Sequence, residues 1–318
     1  MSGKINILML GGAKRVSLAK IFKSAGERMG KGVEIFSYEI IPSVPIACVG
    51  TVLDGSRWGD ADIYDKIAKV IKEKEINIIL PFVDGAIEIC SKLKELHPDV
   101  FIPVSDFAVA HSMFDKVEAA AVFESHHFEI PKTYTPENCS FPAILKPRTG
   151  SASKGIVVVN NVAELEEVAN KENYLIQEYI VDREEYTVDC YVSPLTKEVV
   201  SIVPRIRIST TGGEVDRTET RRIPELISQS ERILRELNFE GPITIQFIHE
   251  KGNSRYLLME INPRLGGGVI CSILAGANIA EMILRESLGE AAQPVSDWRD
   301  RALMARYFSE VMFFNEEK

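Results

Sequence analysis

The sequence predicts a parallel α/β layer followed by two α+β portions. Three observations carry this. Strand-length apolar runs alternate with helical patterns over residues 1 to about 112. That alternation gives way to a compact piece of short strands and helices over about 113–182. From 183 onward, longer strands of alternating character dominate.

The elements follow in order. Residues 5–10 are continuously apolar apart from Asn6 and read as a buried parallel strand, with Gly11–Gly12 as the turn into a helix over 14–29. Residues 33–39 predict a second strand. Residues 61–75 place Ile63, Ile67, Val70 and Ile71 on one helical face. Ile76 to Leu80 is a third strand, stopped by Pro81. A helix over 112–127 opens the middle piece. Strands follow at 141–146, 157–159 and 175–180, with a helix over 163–171 between the last two. The final portion reads as strands at 185–192 and 199–208, a helix over 224–237, a turn at Gly241–Pro242, and paired strands at 243–248 and 256–261. A Gly-rich turn then leads into a helix from about 272 to 287.

Composition narrows the function. A chain of 318 residues, 45% hydrophobic and 26% charged, suits two or three globular units. A net charge of -9 gives no general attraction for nucleic acid or anionic membrane, so any basic cluster points to a local phosphate or carboxylate ligand. No apolar run is long enough to span a bilayer, and the N-terminus lacks the pattern of a secretory signal. The five cysteines form no CxxC pair. A cytoplasmic protein with reduced thiols is expected.

Three constellations carry chemistry. In Met259-Glu260-Ile261-Asn262-Pro263-Arg264, strand alternation points Glu260 and Asn262 the same way and Ile261 into a core. Gln246 can join them from the neighbouring strand. Three oxygen ligands on one face suit Mg²⁺, which keeps waters and shares phosphate oxygens. Arg264 can then reach a phosphate or a developing negative charge. Next, Lys146 ends an apolar strand and precedes the small-residue loop 149–155. There backbone N–H groups, Ser153, Lys154 and Gly155 can fold over phosphates. It is not a Walker A loop. Third, the strand ending Glu178-Tyr179-Ile180 offers backbone groups to an adenine edge, and Glu185 can accept from ribose hydroxyls. Each segment alone also fits an ordinary half-solvated strand or hairpin.

Their order along the chain resembles the ATP-grasp superfamily, most closely a synthetase unit of the carbamoyl phosphate synthase large subunit, with Glu-Ile-Asn-Pro-Arg as the most specific part. The resemblance implies an ATP-grasp fold: an N-terminal parallel α/β domain (1–112), a small α+β lid (113–182) and a larger C-terminal α+β domain (183–318). It implies that Lys116 and Lys146 meet ATP phosphates, Glu178, Tyr179 and Ile180 read adenine, and Glu185 holds ribose. Gln246, Glu260 and Asn262 become ligands of Mg²⁺ or Mn²⁺, and Arg264 steadies the transferring phosphoryl group. Gln246 stands where many relatives carry an acid, Ala152 where many carry glycine, and Asp182 where a glycine often precedes the ribose carboxylate. One synthetase unit is seen, so carbamoyl phosphate itself is not the expected product.

In that fold Arg205 and Arg207, two apart on one strand face, lie near the γ-phosphate, where Arg205 can hold an acceptor carboxylate. Arg221 and Arg222 are further candidates, and a solvated basic edge is the alternative. Arg15 and Asp84 sit at strand C-terminal ends, where open α/β sheets bind ligands, or cap helices. His111, His126 and His127 lack partners at metal spacing and are read as packing or surface residues.

The expected activity is ATP-dependent activation of a small carboxylate for attack by an amine or similar nucleophile. A kinase-like enzyme or a non-catalytic ATP binder of the same fold are the alternatives. Apolar residues of the first layer leave room for a homodimer.

Overall fold

The structure is a computed structural model that describes residues 3–150 and 154–314. The first layer is a parallel sheet of order β3-β2-β1-β4, made of β1 (Lys4–Leu10), β2 (Gly32–Glu39), β3 (Thr51–Asp54) and β4 (Ile78–Pro81). Helices α1 (Val16–Arg28), α2 (Ile63–Glu73) and α3 (Asp84–Leu96) cover it. Ile7 and Met9 enter one core while Leu8 and Leu10 enter another, which is why β1 is apolar at every position from Ile7. Pro81 closes β4 at the sheet edge, where its missing N–H breaks no inner ladder.

Helix α4 (Phe107–His111), which the sequence pattern does not predict, is followed by α5 (Lys116–Ser125), which lies within the helix expected over 112–127. The start of α5 falls at Asp115, whose carboxylate accepts from the N–H groups of Val117 and Glu118 at 2.8 and 3.3 Å and so caps the helix. The middle sheet has order β5-β8-β6-β7, from β5 (Thr133–Tyr134), β6 (Ala143–Pro147), β7 (Val157–Val159) and β8 (Tyr174–Glu178), with α6 (Val162–Glu167) on one side. Ala143, Leu145, Val159 and Ile176 form its core with Leu165.

The last sheet has order β13-β12-β9-β10-β11-β14. Its strands are β9 (Arg183–Val192), β10 (Val199–Thr211), β11 (Glu214–Thr220), β12 (Gly241–Glu250), β13 (Tyr256–Asn262) and β14 (Leu303–Ala305), backed by α7 (Pro224–Glu236). Val188, Ile243, Ile245, Phe247 and Ile261 pack with Ile233 and Leu234 of α7. Strand parity therefore turns Glu185, Thr187, Thr244, Gln246, Glu260 and Asn262 to the opposite face. Gly241–Pro242, expected as a turn, instead begins β12. The positive φ of Gly241 (77°) and its close approach to the Pro103 carbonyl place the bend there.

The helix expected over 272–287 is interrupted. It comprises α8 (Val269–Ser272), a π turn (Ile273–Ala277) and α9 (Ile279–Glu286). Gly276 and Asn278, at φ 115° and 52°, supply the break, and Gly276 lies against Trp298. One core unites the first layer with this last region: Ile7, Met9, Phe22 and Leu80 share it with Tyr191, Val203, Leu265, Ile283 and Trp298. Among the described residues, no helix is long and apolar enough to cross a membrane.

Candidate active site

The middle and last sheets each turn one face toward a cleft of about 570 Å³, which residues just past the strand ends of the first layer close, and whose volume is within the usual range for small-molecule sites. From the middle sheet come Ile144, Lys146, Val158 and Leu175, the residues that alternate with its core set. From the last sheet come Glu185, Thr187, Arg207, Gln246, Glu260 and Asn262. Arg15 and Asp84 enter from the first layer.

The basic groups at the phosphate end are held differently. Lys146 is buried and donates to Gln177 Oε1 at 3.0 Å. Burial pulls its ammonium down to about 8; Lys116 and Arg183 add to this, while Glu260 and Glu185 oppose it. Lys116, at the first position of α5, reaches the Gly150 carbonyl at 2.9 Å, tying the loop after β6 to the cleft. Arg148 fixes the same corner by donating to Asp115 Oδ2 at 2.7 Å. Lys154 lines the cleft. Gly155 does not: its φ of 72° makes a turn packed on Pro147. Ser153 lies outside the described residues.

At the strand end after β8, the Glu178 carboxylate accepts from the Lys132 N–H at 2.9 Å, and the Tyr179 N–H donates to Pro142 O at 3.1 Å. The Ile180 carbonyl accepts from Arg183 Nη1 at 2.8 Å. Arg183 also stacks on Tyr179 and donates to Glu185 Oε1 at 3.3 Å. Glu178, Tyr179, Ile180 and Glu185 therefore form one connected wall.

The oxygen donors meet across a strand pair. Gln246 stands opposite Glu260 in the β12–β13 register. Asn262 Nδ2 donates to Glu260 Oε1 at 2.5 Å, and Arg264 Nη2 donates to Asn262 Oδ1 at 3.2 Å. Gln246 Oε1 accepts from Arg207 Nη1 at 2.9 Å, and Arg207 Nε lies 3.6 Å from Glu185. A set of hard oxygen donors with a single carboxylate fits a divalent cation that takes its remaining ligands from phosphate and water.

Arg205 lines the cleft, as expected, but is anchored from beneath. Its guanidinium is buried and donates to both oxygens of Asp189, at 2.7 and 3.2 Å, and to Thr218 Oγ1 at 3.3 Å. Ser272 Oγ donates to the same Asp189 at 2.6 Å. A Cβ on Gly268 would sit 2.5 Å from Arg205 Nη1, so Arg205 supports the Gly266–Gly268 turn from beneath. Each of its three nitrogens gives one hydrogen bond to the protein, a consequence of burial in a sheet that spacing alone does not reveal. Arg221 and Arg222 lie away from the cleft: Arg221 pairs with Glu219, and Arg222 stacks on Trp298. Arg15 and Asp84 border the cleft, and neither makes a capping hydrogen bond to its helix. Sequence reasoning missed Glu214 and Arg306. Arg306 follows an unforeseen edge strand, β14, and pairs with Glu214 at 2.7 Å. No local signal marks either.

Residues 170–308 match the family described as "ATP-grasp in the biosynthetic pathway with Ter operon", and residues 109–182 match the tubulin-tyrosine ligase family. A D-alanine–D-alanine ligase of Fusobacterium nucleatum is 28% identical over 163 residues, covering 47% of this chain. The match spans 56% of that ligase, little more than half its length. Among solved structures, the biotin carboxylase domain of 2-oxoglutarate carboxylase from Hydrogenobacter thermophilus, in complex with MgADP and bicarbonate, aligns with a TM-score of 0.72. It is 16% identical over 94% of this chain and 73% of that one. N5-carboxyaminoimidazole synthetase from Staphylococcus aureus, complexed with ADP, also gives 0.72, at 17% identity over 91% of this chain and 79% of that one. The chain thus has the ATP-grasp fold, and its sequence resembles that superfamily over the matched segments.

Proposed function

We propose that the protein is an ATP-dependent carboxylate–amine ligase, with units dividing near residues 112 and 182. The observation that carries this is the convergence in one cleft of Lys116, Lys146, the Glu178–Glu185 wall, the Gln246/Glu260/Asn262 donors and Arg264. A pure nucleotide binder has no need of a donor set and an arginine placed beyond the phosphate-binding lysines. The ligase relative and the ADP-bound structural neighbours lend the reading further support.

ATP lies between the middle and last sheets in this reading. Its adenine meets the Glu178–Ile180 backbone and its ribose meets Glu185. Lys116 and Lys146 balance the phosphates. Glu260, Asn262 and Gln246 would hold Mg²⁺ or Mn²⁺, which neutralises phosphate charge when bound. Arg264 faces the phosphoryl group as it passes to a carboxylate oxygen of the acceptor. One P–O bond to ADP breaks, one O–P bond forms, and the product is an acyl phosphate. An amine then attacks the acyl carbon and phosphate leaves, giving an amide. Lys116, by holding the Gly150 carbonyl, keeps the end of β6 over the cleft and helps exclude water from this intermediate.

ADP release measured with Mg·ATP over a panel of small carboxylates and amines tests the reading. Release that depends on one acid, with ligated product, is expected. Acid-independent release, or a phosphorylated acid that never joins an amine, would instead mark a hydrolase or a kinase. Failure to bind Mg·ATP would remove the basis of the proposal.

A further inference from the structure

At the end of the cleft beyond Arg264, three guanidinium groups converge on too few acids. Arg15 is largely buried, its side chain 16% exposed. Its closest ion contact among the described residues is Glu214, at 3.6 Å, too long for a hydrogen bond. Its guanidinium also lies 5.9 Å from the Phe82 ring centre, a contact that satisfies no donor. Glu214 is already engaged by Arg306 at 2.7 Å, and Arg306 is further pinned to the Gly267 carbonyl. Arg264 and Arg306 both act on Arg15 as like charges and, together with its burial, lower its pKa. Arg264 Nε is buried without a hydrogen-bond partner, 3.7 Å from Asp84.

The side chains of Arg15, Glu214 and Arg306 close around the backbone of Gly267, which has no side chain of its own to stand between them. A Cβ on Gly267 would lie 3.0 Å from Arg15 Nη1, 3.3 Å from Glu214 and 3.4 Å from Arg306 Nη2. Behind Arg15, helix α1 begins with no side-chain cap and no acid in its first turn, so its partial positive end is uncompensated. A largely buried guanidinium that lines the cleft, makes no hydrogen bond among the described residues and has Arg306 beside it as a like charge makes an anion subsite. It is separate from Arg264, which is tied to Asn262 at the phosphoryl end.

The geometry points to an acceptor acid that carries a second anionic group, carboxylate or phosphate ester, bound by Arg15 while its reacting carboxylate faces Arg264. This rests on the ligase reading above and names the class of its acceptor. A monoacid fills only one of the two positions and leaves Arg15 desolvated and unpaired.

The test uses hydroxylamine to trap acyl phosphates as hydroxamates, with the full-length protein and Mg·ATP. Acids are supplied in matched pairs: butyrate and glutarate, alanine and aspartate, glycerate and 3-phosphoglycerate. The expected result is a lower KM for the dianionic member of at least one pair; the phosphate and carboxylate arms show which group is preferred. Arg15→Ala should raise KM for that acid by about 10- to 100-fold, the loss of a charge-assisted contact, with kcat and the KM for ATP little changed. Arg15→Lys, which keeps the charge but not the fork, should recover part of the loss. Unchanged Mg·ATP affinity in both variants shows that they fold. Equal KM within every pair, or a preference that survives Arg15→Ala, overturns the inference while acid-dependent ADP release leaves the ligase reading standing. No acid-dependent release from a protein that binds Mg·ATP overturns both.

Discussion

The two ends of the cleft are assembled in opposite ways. The phosphate end is local: Glu260, Asn262 and Arg264 fall within five consecutive residues, and Gln246 faces them from the adjacent strand of a hairpin. The end proposed to hold the acceptor is dispersed. Arg15, Asp84, Glu214, Gly267 and Arg306 come from five segments, spread over nearly the whole chain. The difference teaches that chemistry common to a superfamily can be written into one hairpin, where strand alternation alone fixes its geometry. Selectivity is written across contacts that exist only once separate layers have packed.

If that division holds, mutations at the two ends should fail differently. The largest effect is expected from Glu260→Ala or Arg264→Ala. Either should lower kcat by about 10²–10³-fold, the usual loss when one preorganised charge is removed from a phosphoryl- or acyl-transfer site. Steady-state ADP release measures this. A variant with normal kcat and only a raised acceptor KM would blur the boundary between the two ends.

Next is the support beneath the glycine turn. Arg205→Met leaves Asp189 buried without its partner and should cost about 3–5 kcal/mol of stability. Replacing both partners with apolar residues should recover much of that loss. Denaturant unfolding of the single and double variants decides it. A neutral single variant would mean that Arg205 does not hold this turn. Gly268→Ala places a methyl group against the same guanidinium and should cost a smaller amount, about 1–3 kcal/mol.

The subtlest effect concerns pH. Lys146 is held down to about 8, below its ordinary value, chiefly by burial. Glu260, Glu185, Lys116 and Arg183 face it, and the phosphates of ATP would favour its charged form. ATP binding near pH 8–9 should therefore take up protons, and affinity should fall as pH rises through that range. The sign for stability is the reverse. The folded pKa is depressed, so the unfolded chain binds more protons between about 8 and the ordinary lysine value, and the contribution of Lys146 to stability rises with pH across that window. Calorimetry in buffers of different ionisation enthalpy reads the proton uptake. Equal heats in both buffers would show that Lys146 keeps its charge throughout, and Lys146→Met should abolish any difference.

Much of the fold was legible because period and parity are local properties. The apolar run of β1, the face of α2 and the alternation in β9, β12 and β13 each follow from side-chain direction. Helix breaks were less legible. Asp115 looked like a residue inside a helix until its carboxylate was seen to cap α5. Gly276 and Asn278 bend the chain around Trp298, a partner some twenty residues away. Strand β14 was invisible because three residues of edge strand carry no periodic signal, and with it went Arg306.

By itself the sequence determined the layer order and the strand faces, and so the surface that Gln246, Glu260 and Asn262 share, because a strand's period of two commits every second side chain to one surface whatever packs around it. Only the tertiary structure decided that Arg205 is spent on Asp189 while Arg15 is not spent at all. Arg15 stands just before α1 and Arg205 in the middle of β10, and nothing in their local sequence says which is held by an acid. The distinction arises where β10 buries one guanidinium against β9, and where packing of the first layer on the last sheet brings the other to a cleft where the acid closest to it among the described residues, Glu214, is already held by Arg306.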